Sequence, residues 1–251
     1  MPRSVQTKLP FLKSTSAFFL LLAISAVMFG TPGIAQTRAV KENAPEPVDV
    51  PVPRNIKVVD ERKEKDGTII RTIHYEQGGK RIKETLIVRN HIDLHVPIDP
   101  DTMDKDKVLV LVSKSRFVVE VFYRSKMIRS YKAVFGPKPM EDKKMEGDRA
   151  TPEGWFTIRS KNPKSKYDKF MLLNYPNDTS VSRFNALKEK GTIPKTARIG
   201  GDVGIHGIWK GGDDLIENGI CWTDGCVAVK NKDIEELYKF AGVGTKVYIR
   251  K

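Results

Sequence analysis

Apolar and polar residues alternate in three runs near the start of the chain, at residues 56–59, 68–75 and 81–88. A period of two is that of a strand with one buried face. Asp66-Gly67 and Gly78-Gly79 fall between the runs, and such dipeptides tolerate the positive φ of tight hairpin turns. The pattern predicts a small antiparallel β-meander within residues 54–95. Some forty residues bury too little apolar surface to be stable alone, so the meander is expected to pack on the larger C-terminal domain. Val108-Leu109-Val110-Leu111-Val112 is a continuous apolar run, as expected of a strand covered on both faces. Further strands are predicted at residues 116–122, 127–135, 155–158 and 246–249, with Trp155 and Phe156 in the core. Two helices are predicted. One spans residues 182–191, from Ser182 to the stop at Gly191, with Phe184 and Leu187 on one face. The other spans residues 232–241, with Ile234, Leu237, Tyr238 and Ala241 inward and Asn231 as its N-cap. Strands outnumber helices, which predicts a mainly β, sandwich-like domain rather than a parallel α/β sheet.

The composition is that of a folded protein of one or two domains: 251 residues, 39% hydrophobic and 30% charged. Residues 36–53 are rich in Pro, Glu, Asp and Ala without periodicity and read as a flexible linker. The first 35 residues have the layout of a secretory signal. Arg3, Lys8 and Lys13 precede an apolar run from Ala17 to Phe29, and Gly33-Ile34-Ala35 provides small residues for cleavage before Gln36. That run is short of the ~18–20 residues of a spanning helix, so no stable membrane span is expected in the mature chain; an uncleaved anchor is the alternative. Export to the periplasm or cell wall is the corresponding expectation. The net charge of +13 suits an anionic partner. No nucleic-acid-binding signature accompanies it, which favours an acidic wall polymer over nucleic acid. His91 and His95 have the spacing of metal ligands on a helix, but Pro97 and the β-type residues around them argue against one, and no metal site is assigned. The charged stretch 140–149 reads as a solvated loop, with a groove-flanking role as the alternative.

The candidate chemistry lies near the C-terminus. Ile205-His206-Gly207 is followed by a Gly- and Asp-rich loop and then by Trp222-Thr223-Asp224-Gly225-Cys226-Val227. A thiol is mostly protonated at neutral pH and needs a base to become a nucleophile, and a nearby imidazole would lower its pKa. The Gly225-Cys226 step would turn the backbone sharply, aiming N–H groups at a carbonyl oxygen under attack. Cys221 and Cys226 are the two cysteines. A disulfide between them would consume the nucleophile, so Cys221 is read as a strand residue packed beside Trp222.

At these residues the sequence resembles the L,D-transpeptidase catalytic domain family (YkuD-like). His206, Thr223, Gly225 and Cys226 fall on its His…Ser/Thr-His-Gly-Cys pattern. Gly136-Pro137 and Thr151-Pro152-Glu153-Gly154-Trp155-Phe156 look like its "G…TPxGxF" element, so the likeness spans residues 107–250. Asp224 stands where the family has a second His. Ala228 stands where an Arg often follows the Cys, which removes an anchor for a substrate carboxylate.

The resemblance implies a YkuD-like β-sandwich catalytic domain acting on peptidoglycan stem peptides, without cofactor or metal. Cys226 would be the nucleophile and His206 the base, with the Gly207 carbonyl orienting the imidazole. Asp224, Gly225 and Cys226 N–H groups are the oxyanion-hole candidates. Trp209, Lys210, Trp222, Thr223 and Arg198 are candidates for substrate binding, Lys210 or Arg198 supplying the missing cation. The Asp224 carboxylate is expected to point away from the sulfur toward a basic residue or a backbone donor. The implied reaction is cross-linking through a thioester to an amine of another stem or of a wall-attached protein. Two alternatives stand beside it: an L,D-carboxypeptidase or protein-releasing amidase using the same site, and a non-catalytic wall-binding module.

Overall fold

The computed structural model of the protein describes residues 53–65, 68–88, 91 and 94–251. The signal segment, the linker apart from Pro53 and the Asp66-Gly67 turn lie outside the described residues. The meander forms as the alternation requires. Strands β1 (Arg54–Lys63), β2 (Ile69–Gln77) and β3 (Lys80–Val88) pair antiparallel in that order. Gly78 and Gly79 take positive φ in the second turn. Its buried side chains, Ile73 and Tyr75, join one apolar cluster with Ile208, Ile220 and Trp222 of the larger unit. Arg71 Nη1 donates to Asn218 Oδ1 across the same seam (2.9 Å). The meander thus completes its core against the loops that come after His206.

The larger unit is a closed circuit of eight strands. Strands β4 (Val108–Ser113), β5 (Val118–Tyr123) and β6 (Lys126–Val134) form an antiparallel series. The last strand, β11 (Lys246–Arg250), lies parallel to β4 and antiparallel to β7 (Gly154–Ser165). From β7 the circuit passes through β8 (Asp168–Leu173) and β9 (Gly204–His206) to β10 (Val227–Val229), which returns to β6. Two long strands serve both halves. β6 pairs with β5 through Lys132 and with β10 at Ala133 and Val134. β7 pairs with β11 through Thr157 and with β8 from Ile158 on. The expected sandwich is therefore two curved faces sharing strands at both edges, as when strands switch sheets. Its interior is filled by Val110, Val112, Val119, Val121, Phe135, Ile158 and Val247, among others.

Among the described residues, three α-helices cover the outside. α1 (Asp178–Glu189) starts earlier than predicted because Asn177 Oδ1 caps the Ser180 N–H at 3.0 Å. α2 (Asp213–Glu217) is a short helix in what read as a Gly- and Asp-rich loop. α3 (Asn231–Phe240) buries Ile234, Leu237 and Phe240, each worth roughly 2 kcal/mol of apolar burial. Tyr238 is only partly buried, and Phe240 takes the inward place expected of it. Trp155, expected in the core, is 56% exposed and stacks on Tyr248 at 4.6 Å, because its neighbour Phe156 points inward and successive strand residues face opposite ways.

Lys114, fully buried, holds the charged loop against this frame. Its ammonium donates to the carbonyls of Glu141 (2.6 Å) and Thr151 (3.0 Å) and pairs with Glu153 (2.7 Å). One buried cation so fixes both ends of residues 141–151. Lys114→Met strands two carbonyls and a carboxylate, and it should lower unfolding stability by about 3 kcal/mol in urea titration. A loss below about 0.5 kcal/mol would show that the ammonium does not anchor the loop.

Candidate active site

Two short strands bring the key residues together. β9 and β10 pair in parallel, with Ile205 opposite Val227 and His206 opposite Ala228. Cys226 immediately precedes β10, two register places from His206, so residues twenty positions apart come to one strand pair. Both line a cleft of about 430 Å³, together with Lys143, Arg149, Tyr167, Asp202, Trp222, Thr223 and Asp224.

The imidazole is held by its far nitrogen. His206 Nδ1 lies 2.7 Å from the Gly207 carbonyl oxygen. A carbonyl can only accept, so Nδ1 carries the proton and Nε2 keeps its lone pair. The carbonyl is itself aimed from behind. Ile208 N–H, the other end of the same planar peptide, donates to Asn231 Oδ1 (2.7 Å), and Asn231 N–H donates to Asp213 Oδ1 (3.2 Å). The predicted N-cap role of Asn231 is therefore corrected: Lys230 precedes the helix, and the Asn231 side chain serves the histidine loop instead. Gly207 fits this corner because a Cβ there would stand 2.6 Å from Asn231 Oδ1 and 2.8 Å from the Ile234 side chain. The imidazole stacks on the Tyr167 ring at an interplanar angle of 25°, with centroids 4.9 Å apart, and on Phe170 at 15° and 5.8 Å. Trp222 meets it edge-on at 5.7 Å.

Nε2 is buried and has no hydrogen-bond partner. The thiol donates not to it but to the Asp202 carbonyl (3.5 Å), and it accepts from Gly204 N–H (3.4 Å). Burial pushes the His206 pKa down to about 4, against a smaller upward pull from Gly207. It pushes the Cys226 thiol up to about 12, against smaller opposing effects of Gly204 N–H and the Lys143 charge. The expectation that the imidazole would depress the thiol pKa is thus corrected. Desolvation outweighs it, and the resting cleft holds a neutral thiol and a neutral imidazole.

The turn before the cysteine is braced internally. Thr223 Oγ1 donates to the Cys226 carbonyl (2.7 Å) and accepts from Gly225 N–H (3.3 Å). The Gly225 N–H is therefore engaged inside the turn, which leaves Asp224 and Cys226 as the oxyanion-donor candidates. Gly225 has φ +132°, and a Cβ there would meet the Ala150 carbonyl at 2.7 Å, so glycine is required on both counts. Asp224 pairs with Arg149 Nε at 3.0 Å, the basic partner expected of it.

Trp222 and Thr223 line the cleft, whereas Trp209, Lys210 and Arg198 are not among its lining residues. Trp209 packs edge-on against Trp222 at 5.0 Å, Lys210 is exposed, and Arg198 pairs with Glu146 at 3.2 Å. The cations in the cleft come from the charged loop, as Lys143 and Arg149. The loop is largely solvent-exposed, as read, and it also flanks the cleft, as its alternative reading had it. Tyr167 and Asp202 escaped the sequence reading because nothing in their local pattern marks them. Ala228 is fully buried in an apolar cluster with Tyr167, Trp222 and Ile208. Cys221 lies in a loop rather than in a strand, and both cysteines are free thiols. Among the described residues, no group of three or more His, Cys, Asp or Glu could hold a metal, and no helix is long and apolar enough to cross a membrane.

The L,D-transpeptidase catalytic domain family (YkuD) matches residues 107–249, and the chain belongs to that family of enzymes. The fold is that family's mainly β domain. Similar solved structures include an L,D-transpeptidase from Xylanimonas cellulosilytica (15% identity, TM-score 0.38, covering 59% of this chain and 62% of that one). An L,D-transpeptidase from Mycobacterium smegmatis is 14% identical (TM-score 0.36, 84% of this chain and 96% of that one). L,D-transpeptidase 3 from Mycobacterium tuberculosis is 12% identical (TM-score 0.38, 85% of this chain and 98% of that one). The chain thus spans less than two thirds of the Xylanimonas structure. At these levels the family assignment rests on the family match alone. No curated protein sequence matches the chain.

A histidine buried neutral costs stability in acid. The unfolded chain binds a proton near pH 6.5 and the folded protein only near pH 4, so stability is full above pH 6.5 and falls as the pH drops through that window. Between pH 7 and pH 4.5 the wild type should lose about 2 kcal/mol more than His206→Gln in urea unfolding. Equal losses would show an imidazole that titrates normally.

Proposed function

We propose that the protein is a cysteine-dependent L,D-transpeptidase acting on peptidoglycan tetrapeptide stems. The observation that carries this reading is an unpartnered imidazole lone pair, locked by a backbone carbonyl, in the same cleft as the Cys226 thiol. The neutral resting pair makes proton transfer part of the reaction rather than a prior state. As the substrate carbonyl closes the cleft, the thiol proton passes to His206 Nε2 and the sulfur attacks the carbonyl of the L-centre of the third residue. An S–C bond forms, and the carbonyl electron pair moves onto oxygen, where the Asp224 and Cys226 N–H groups are the candidate donors. Collapse of this intermediate breaks the C–N bond. The terminal D-alanine leaves as an amine that takes the proton back from His206, and a thioester remains. An amine of a second stem, or of a wall-attached protein, attacks the thioester and restores the thiol. Each step uses this chain's own groups.

A second reading keeps the first half and lets water resolve the thioester, giving an L,D-carboxypeptidase or an amidase that releases wall-bound protein. The buried Ala228 favours it to the extent that the family's carboxylate anchor is missing. A non-catalytic wall-binding module is the reading that an unreactive Cys226 would leave. Export rests on the pattern of the first 35 residues, outside the described structure.

Incubation with disaccharide-tetrapeptides and mass analysis separates these readings. Cross-linked dimers with loss of alanine are expected. Cys226→Ala should abolish them, and His206→Ala should slow them by about 10²–10⁴-fold. Tripeptides without dimers would mean water is the acceptor, and wild-type turnover by Cys226→Ala would end the enzyme reading.

A further inference from the structure

Beside the thiol stands a charge that the proposed acyl transfer leaves unused. Lys143 belongs to the charged loop, yet its side chain is only 4% exposed. Its ammonium lies 3.6 Å from where a Cβ on Gly225 would be, next to the nucleophile in the chain, and it lines the same cleft as Cys226 and His206. Asp148 holds it there. One Asp148 oxygen accepts from Lys143 Nζ (2.9 Å) and Ala150 N–H (3.0 Å), the other from Lys144 N–H (2.6 Å) and Met145 N–H (3.0 Å). These bonds keep the Asp148 pKa below the ordinary carboxylate value although burial opposes them. An ammonium has three protons, and Asp148 is its hydrogen-bond partner among the described residues, so two remain for the cleft. Desolvating a lysine is costly, and a loop tie alone would be met by a shorter neutral donor.

The other charges near the sulfur do not substitute for it. Asp202 and Asp224 both disfavour a thiolate. Arg149 is engaged by Asp224 and by the Trp222 carbonyl, and Glu146 by Arg198. His206 is neutral at rest and becomes positive only by taking the thiol's own proton.

We infer that Lys143 is the fixed positive charge of the site, stabilising the Cys226 thiolate as the thiol proton leaves and doing so through space from its seat on Asp148. It is a positioning charge rather than a group that bonds the substrate. The inference rests on Cys226 being the nucleophile, and its test separates the two ideas.

The test is alkylation of the full-length protein by iodoacetamide between pH 5 and pH 10, with Cys226 and Cys221 quantified separately by peptide mass. In each labelling event an S–C bond replaces C–I, iodide leaves, and the thiol proton passes to the histidine or to buffer. Lys143→Gln keeps a donor for Asp148 without the charge. It should move the Cys226 profile up by about one pH unit, with about tenfold slower labelling at neutral pH. Lys143→Arg should recover most of that loss, and Cys221 labelling should not change in either variant. A Cys226 profile in Lys143→Gln that superimposes on wild type overturns the inference while leaving the nucleophile intact. So does a shift shared equally by Lys143→Arg, or one matched by Cys221, because a disturbed loop would then explain it. Wild-type Cys226 that resists labelling across the whole range would overturn the nucleophile reading, and this inference with it.

Discussion

A carbonyl oxygen can accept a hydrogen bond but never donate one, and the site depends on that asymmetry at Gly207. The contact to His206 Nδ1 decides which ring nitrogen is protonated and leaves the other as a lone pair inside the cleft. Without it, either tautomer could occupy the pocket, and half of the possible states would present an N–H to the sulfur. The peptide is rigid, so the bond from Ile208 N–H to Asn231 on its opposite side fixes where the carbonyl points. Helix α3 thereby has a role beyond covering the core. Its first residue aims a carbonyl, its fourth packs beside Gly207, and its apolar face secures both.

The closed strand circuit serves the same end. β9 and β10 are three residues each and would not hold a register alone. They are held because β8 and β6, both longer, flank them. Phe170 on β8 lies opposite His206 in register and supplies one of the rings beside the imidazole. The apolar wrapping that fixes the ring's position also strips it of solvent. On the proposed mechanism, burial gives a well-placed base at the cost of a neutral resting pair, and charge has to be supplied when the thiol ionises. The loop bounded by Lys114 brings two cations to the edge of that wrapping.

Much of this was legible in the sequence, for identifiable reasons. The meander was readable because its central strand β2 alternates about the buried Ile73 and Tyr75 and a turn is marked by Gly-Gly, although β1 itself stays mostly exposed. Val108 to Val112 was readable because its three valines fill the interior and the two leucines between them are half-buried on the outer face. His206 and Cys226 were singled out by residue type, spacing and the family resemblance, and the structure places both at one cleft. What escaped depends on long-range closure. Nothing local says that Asn231 would turn its side chain toward Ile208 rather than cap its own helix. Lys143 read as solvated because its neighbours are charged, and its burial comes only from Asp148 and the docking of the loop. The short helix α2 was hidden by its glycines and aspartates, and Trp155 looked like core because composition cannot tell which of two adjacent aromatics faces inward. Lys210 and Arg198 were proposed as cations by proximity in sequence, which the chain's path through the cleft does not respect.

The central claim concerns the state of one ring, and nitrogen-15 chemical shifts of the His206 imidazole report it directly. In the full-length protein at pH 5.5, where an ordinary histidine would be mostly protonated, the ring should be neutral, with its proton on Nδ1 and an unprotonated Nε2. An imidazolium at that pH, or a neutral ring protonated on Nε2, would contradict the account.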